Sequence, residues 1–462
     1  MTETSAVTMP WFREEIVKKM IKNYERKTPK SKKTYLEACK RIPLGINHFL
    51  RWQRPYPLFL DKAEGSRVWD VDGNEYIDYA QTMGLGILGH NHPAIKEATV
   101  KALDKFGAHC GLSTELEVKW AEKIHQHFPS CEKVKAVNSG TEATMLAVRI
   151  ARGRTGRKKV IKFQGHYHGW SDSMFFDSYS AGVGNMMSNG IPEECFANLI
   201  AIPPNDLETL KKTIQENKGN VAAVIMEPLG QTTGSVPIEE GFQKEVREIT
   251  QRHGTLLIFD EVVTGFRVSI GGAQKVLGVN PDLTAFGKIV GGGFPIGAVG
   301  GTDEVMENLF GLLDSSSANF GPTYVYSPGT FCGNPLSMAG GIAAITELEK
   351  GNYIRNANLM AREITEKINE LAESLRIGFS TFNTYSAFHF DVKADGGEEA
   401  EADLSRKLEI VDFDYWMRLG LANANPGVVS LPLHGFMSGV HNKKDIDQAI
   451  SAFRNVFELL KK

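Results

Sequence analysis

Leu256 to Phe259 is an apolar run with the length and composition of a buried strand, and it ends on two adjacent carboxylates, Asp260 and Glu261. A second short run, Leu283 to Phe286, ends in Gly287-Lys288 and leads into three glycines, Gly291 to Gly293. In an open α/β sheet, groups at the carboxyl ends of strands face the ligand crevice. One strand therefore delivers an acid there and a later strand delivers an amine. The surrounding chain has the rhythm such a sheet requires. From Cys131 onward, short apolar runs (Val134–Val137, Val160–Phe163, Leu199–Ile202, Val221–Met226, Leu256–Phe259) alternate with helical segments. This is the βαβ pattern of a parallel or mixed sheet covered on both faces.

A nucleophilic amine and a carboxylate that stays charged suit a cofactor with a carbonyl and a basic ring nitrogen. Pyridoxal phosphate (PLP) has both: a lysine forms the Schiff base and an acid partners the ring nitrogen. Each signal is weak alone, since charged residues at strand ends are commonly only solvated. Asn138-Ser139-Gly140-Thr141-Glu142 lies between a strand and a helix, and Ser139 with Glu142 has capping-box spacing. Free N–H groups at such a helix start bind phosphate, although from the motif alone plain capping is the stronger reading. Gly165-His166-Tyr167-His168-Gly169 follows the strand Val160–Phe163. Two histidines two apart suggest a metal, but no further ligand set has plausible spacing.

The stretches Asp260–Arg267, Gly271–Gln274, Pro281–Leu283 and Gly287–Gly301 closely resemble the PLP-lysine region of class III aminotransferases. Within that family the likeness is greatest to the glutamate-1-semialdehyde aminomutase subgroup, and it covers roughly residues 40–460. The resemblance implies the α/β fold type I of PLP-dependent transferases, with a mainly parallel large domain and a smaller α+β domain built from both termini. It implies that Lys288 carries the Schiff base and moves protons, and that Asp260 holds the pyridinium. It further implies that Gly140 and Thr141, with Ser139 beside them, contact the phosphate. Tyr167 and Val262 pack on opposite ring faces, Glu227 of the Glu-Pro pair makes a polar contact, and His168 supports its loop. Thr330, in Gly329–Pro335, reaches the phosphate of a neighbouring subunit's cofactor, so the resemblance implies a homodimer with shared sites.

The resemblance places departures of the substrate pocket from the aminomutase at His48, Met83 and Met437, where that enzyme carries serine, tryptophan and glutamate, and Ser171–Gly190 is unlike its mobile lid; Arg51 is retained as a candidate carboxylate clamp. These departures favour ordinary transamination between an amino donor and a carbonyl acceptor, both small molecules, with an aminomutase or racemase as the alternative. A surface arginine is an equal reading of Arg51.

The 462 residues, 42% hydrophobic, suffice for two domains, expected at 76–335 for the large one and at 1–75 plus 336–462 for the small one. A net charge of −3 offers no basic excess for nucleic acid or an anionic membrane. Five scattered cysteines without a C-x-x-C pattern read as reduced thiols of a cytoplasmic protein. Toward the ends, periodicity predicts helices over Trp11–Tyr24, Ile342–Leu375 with a break at Gly351, and Lys443–Leu460. Asp72-Gly73-Asn74 predicts a hairpin turn, and the acidic stretch Asp395–Asp403 an exposed loop.

Overall fold

The computed structural model describes residues 12–108, 111–178, 188–230, 237–307, 312–314, 319–320, 324–391 and 404–461. Trp11 and the acidic stretch Asp395–Asp403 lie outside these. The chain forms two compact units, residues 93–351 and residues 1–92 with 352–462.

The unit 93–351 is built on a seven-stranded sheet: β1 (Lys133–Val137), β2 (Lys159–Phe163), β3 (Leu199–Ile202), β4 (Val221–Met226), β5 (Leu256–Asp260), β6 (Leu283–Gly287) and β7 (Gly297–Gly301). The spatial order is β1-β7-β6-β5-β4-β2-β3. Pairs from β3 through β6 are parallel, and β7 runs antiparallel to both neighbours. The strand residues of β4 are buried throughout, as a sheet covered on both faces demands. One face buries Leu146, Ala147 and Ile150 with Ile225, Ile258 and Val299. The other buries Leu210, Val246 and Ile249 with Ile161, Val224 and Phe259. Its helices include α1 (Pro93–Phe106), α2 (Glu115–His127), α3 (Gly140–Thr155), α4 (Leu207–Glu216), α5 (Phe242–Arg252), α6 (Gly272–Leu277) and α7 (Pro335–Lys350).

Strand β7, sequence GAVGG, is absent from the apolar-run reading because three of its five residues are glycine. Packing requires them. A Cβ at Gly297 would stand 2.0 Å from the Ser139 carbonyl oxygen, and one at Gly300 would stand 2.4 Å from Cys131 Sγ.

The other unit holds a four-stranded sheet of Leu60–Glu64, Arg67–Asp70, Glu75–Asp78 and Gly427–Val429, and a three-stranded sheet of Ser380–Thr384, Ala387–Asp391 and His434–Phe436. Gly73, at φ 90°, makes the expected turn between two antiparallel strands. Its helices include Glu14–Lys27, Tyr353–Leu375, Leu404–Asn423 and Lys443–Leu460. The first buries Ile16, Met20 and Tyr24 at helical spacing.

The two compact units divide at 92/93 and 351/352. The strand Glu75–Asp78 stays with the terminal unit because it pairs in parallel with Gly427–Val429. Helix α7 stays with the large unit because it packs on α1 and α2. The expected helix from Ile342 starts earlier, at Pro335, where Asn334 caps it by accepting from the Leu336 N–H at 2.9 Å. Among the described residues no helix is long and apolar enough to cross a membrane.

Candidate active site

The carboxyl ends of β1, β2, β4, β5 and β6 carry the residues singled out from the sequence. At the end of β1, Ser139 Oγ accepts from the Glu142 N–H at 3.2 Å and Glu142 Oε2 accepts from the Asn138 N–H at 2.7 Å. The N–H groups of Gly140 and Thr141 have no acceptor among the described residues. They sit at the positive end of α3, the arrangement that receives an anion. The turn Gly329–Cys332 lies alongside, since a Cβ at Gly329 would be 3.0 Å from Asn138 Nδ2. Thr330 in that turn is exposed.

After β2 the chain turns through residues 165–178. Here the Tyr167 N–H donates to Glu227 Oε1 at 2.8 Å, and His166 Nδ1 accepts from the Glu227 N–H at 3.1 Å. His168 Nδ1 lies 2.8 Å from Asp260 Oδ2, and Thr144 Oγ1 donates to the His168 carbonyl at 2.7 Å. Gly169, at φ 84°, allows the loop to press on α3, for a Cβ there would be 2.6 Å from Thr141 Oγ1. The loop is thus fastened to the ends of β4 and β5 and to the first turn of α3.

The two carboxylates that end β5 divide their work. Glu261 is fully buried and caps α6, accepting from the Ala273 N–H at 2.7 Å and the Gln274 N–H at 3.0 Å. Asp260 is 6% exposed, and its Oδ1 accepts from the Val262 N–H at 3.1 Å. Burial pushes the Asp260 carboxyl up to about 7, against the pull of that N–H and of the Lys288 charge. Burial also holds His168 well below the ordinary imidazole range, reinforced by the charge of Lys162. Burial thus favours the neutral form of His168, and Asp260 has no arginine or lysine ion pair among the described residues.

Lys288 follows β6 with φ 52°, a left-handed conformation that costs a lysine about 1–3 kcal/mol. Burial lowers its pKa, Asp260 and Glu227 oppose, and the fully buried Arg267 reinforces the lowering. Val262 fills the space between the two glycines of adjoining segments: added Cβ atoms at Gly140 and Gly287 would lie 2.9 Å and 3.1 Å from its Cγ1.

The family whose sequence profile is described as aminotransferase class-III matches residues 49–378. The chain belongs to that family. It is 39% identical over 444 residues to glutamate-1-semialdehyde 2,1-aminomutase of Thermodesulfovibrio yellowstonii, covering 94% of this chain and 100% of that one. An omega-transaminase from Sphaerobacter thermophilus superposes with TM-score 0.83 at 30% identity, over 94% of this class III chain and 98% of that one. A transaminase solved with PLP bound gives 0.82 at 28%, with the same coverage. The fold is the α/β type I fold of PLP-dependent transferases.

The large unit of this class III enzyme brings together Ser139, Gly140, Thr141, Tyr167, Glu227, Asp260, Val262 and Lys288 around one set of strand ends. His48, Arg51 and Met83 belong to the other unit. His48 and Arg51 are exposed on a short turn, with His48 Nδ1 accepting from the Leu50 N–H at 3.2 Å. Met83 is half-buried at φ 58°, one of three successive left-handed residues with Gln81 and Thr82. Sequence reasoning gave His168 only a loop-supporting role and missed its bond to Asp260. Its place next to Tyr167 in a strand-end loop was the available signal.

Proposed function

We propose that this chain uses PLP to move an amino group on a small substrate, with Lys288 as the covalent and proton-moving residue and Asp260 as the partner of the ring nitrogen. The observation that carries the reading is the buried Asp260 carboxylate, held by His168 and the Val262 N–H, on a strand directly paired with the one that ends at Lys288. The residues fit the cofactor. Asp260 is a buried acid with no lysine or arginine ion pair among the described residues, and a ring N–H⁺ would provide the opposite charge. The free N–H groups of Gly140 and Thr141 suit its phosphate.

When bound, PLP supplies an electron sink for the carbon bearing the amino group. Asp260, kept charged by that contact, holds the proton on the ring nitrogen. Gly140 and Thr141, with Ser139 beside them, would hold the phosphate, and Tyr167 and Val262 would confine the ring. Glu227 fixes the Tyr167 backbone and adds a polar contact. The Lys288 amine, its pKa lowered by burial, would be the group that takes and returns the proton of the substrate Cα. Thr330 of the partner subunit completes the phosphate site in a homodimer; its exposure in the single chain leaves it accessible for that role.

The relatives favour an intramolecular exchange, since the aminomutase similar over 94% of the chain acts within one substrate by its name. A second reading, transamination between an amino donor and a carbonyl acceptor, draws on His48 and Met83 at pocket positions where the aminomutase carries other residues, and on the transaminase similarity at 30% identity. In either reading Arg51 is the candidate carboxylate clamp that the family resemblance offers, with a surface arginine as the equal reading. The test is to give purified enzyme glutamate-1-semialdehyde alone. Formation of the isomer with the amino group on the neighbouring carbon, without any acceptor, supports the exchange. Turnover that requires an added 2-oxo acid supports transamination instead.

A further inference from the structure

Lys162 lies in β2, paired with Ala201 on one side and Ile225 on the other, and is fully buried. None of the cofactor roles above uses it. An ammonium group in such a place is costly unless it is bonded. Its Nζ donates to the Phe176 carbonyl at 2.7 Å and to Ser178 Oγ at 2.9 Å. Next to these bonds the Gly165 N–H donates to the Asp177 carbonyl at 2.9 Å, and Gly165 and Ser178 form a parallel bridge. Residues 165–178 therefore leave β2 and return to it, and Lys162 ties the returning segment at two points.

The loop so closed carries the Tyr167 N–H bond to Glu227 and the His168 bond to Asp260. Lys162 is thus connected to the Asp260 carboxylate through one short loop. A lysine suits this work because one amine on a four-carbon stem offers three donors, enough for acceptors on two different residues. Burial brings its pKa down to about 7, with Asp177 and Glu227 pulling the other way, and His166 and His168 both feel its charge.

We propose that Lys162 is a positioning residue of the cofactor site: by holding the 165–178 loop closed it places Tyr167 and His168, and through His168 it orients the Asp260 carboxylate. The proposal rests on the PLP reading above.

Lys162→Met removes both donors at similar length, and Ser178→Ala removes one acceptor with little change in volume. Each variant, without cofactor, is titrated with PLP, and the absorption spectrum of the bound cofactor is recorded. Melting temperature of the cofactor-free chain is the control for a merely structural effect. Lys162→Met is expected to bind PLP about tenfold more weakly or worse, as for loss of a buried charged hydrogen-bonding group. Its bound-cofactor spectrum is expected to shift, and Ser178→Ala to show a smaller change in the same direction. Wild-type affinity and spectrum in Lys162→Met overturn the proposal. If that variant does not fold, wild-type affinity and spectrum in Ser178→Ala overturn it. Amide hydrogen exchange at Gly165 and Tyr167 reads the tether without cofactor. It is expected to be faster in both variants, and unchanged exchange also overturns the proposal. Failure of the wild-type chain to bind PLP counts against the cofactor reading, and the exchange rates still decide the role of Lys162.

Discussion

His168 Nδ1 lies 2.8 Å from Asp260 Oδ2, with both side chains buried. A neutral imidazole in this position donates to the carboxylate, and together with the Val262 N–H it fixes the plane of the acid. His168→Phe preserves bulk and removes the donor. It is expected to slow turnover by roughly 10-fold or more, the weight of one hydrogen bond to a charged group. Steady-state rates with saturating PLP check this, and an unchanged kcat would leave His168 a packing residue.

Replacing the acid itself has a larger expected effect. Asp260→Asn keeps the shape but cannot hold a ring proton by charge, so a rate loss of at least ~10²-fold is expected, as for removal of a preorganised electrostatic group. Circular dichroism should show the fold intact while kcat falls. Full activity with PLP bound would refute the assignment.

The same carboxylate predicts a pH signature. Its pKa in the cofactor-free protein is raised to about 7 from an ordinary 3.8. A raised acid contributes stability that is present below pH ~4 and lost as pH rises through ~7. A bound ring cation offsets that loss. The gain in melting temperature on adding PLP is therefore expected to grow between about pH 5 and pH 8. Glu261, similarly raised by burial but tied to α6, contributes alike with and without cofactor. Asp260→Asn should flatten the trend; an equally steep trend in that variant would assign it to another group.

Gly297→Ala tests the close approach of β7 to the phosphate turn. The new Cβ would meet the Ser139 carbonyl oxygen at 2.0 Å, which backbone must yield to relieve. Overpacking of this kind costs about 1–3 kcal/mol or more. Both melting temperature and PLP affinity are expected to fall, because Ser139 caps the helix whose first N–H groups are proposed above to hold the phosphate. Loss of stability with undiminished PLP affinity would separate the strand from the phosphate site.

The parallel strands were legible because each is a short apolar run between turn signals, and Lys443–Leu460 because its apolar spacing is unbroken. Strand β7 was hidden by its own glycines, whose selection is set by Ser139, Cys131 and Leu283 on other elements. The helix Leu404–Asn423 was not read from the sequence, and its mean hydropathy pattern lacks one clear apolar face. At the site, Asp260 and Lys288 stood out by their places at strand ends. Which of Asp260 and Glu261 faces the site follows from local pairing, since Glu261 turns to the start of α6. Lys162 gave only the faint signal of a lysine inside an apolar strand, and its partners Phe176 and Ser178 arrive from a distant part of the loop.

Thr330 bears on the assembly. Thr330→Val and Lys288→Ala subunits are mixed to form heterodimers. If Thr330 serves the partner subunit's site, one site carries both defects and the other neither, so about half of the wild-type activity should persist at limiting PLP. Absence of any normal-affinity site in the heterodimer would place Thr330 within its own subunit's site.

Reduction of the PLP-loaded protein with borohydride, followed by peptide mapping, tests the central claim most directly. Among the described residues, burial lowers the pKa of three lysines, Lys27, Lys162 and Lys288. The account requires the cofactor mass on the peptide containing Lys288, with Lys162 unmodified and no adduct at position 288 in Lys288→Ala. Cofactor mass on Lys162, or no stable adduct in the wild-type protein, would contradict it.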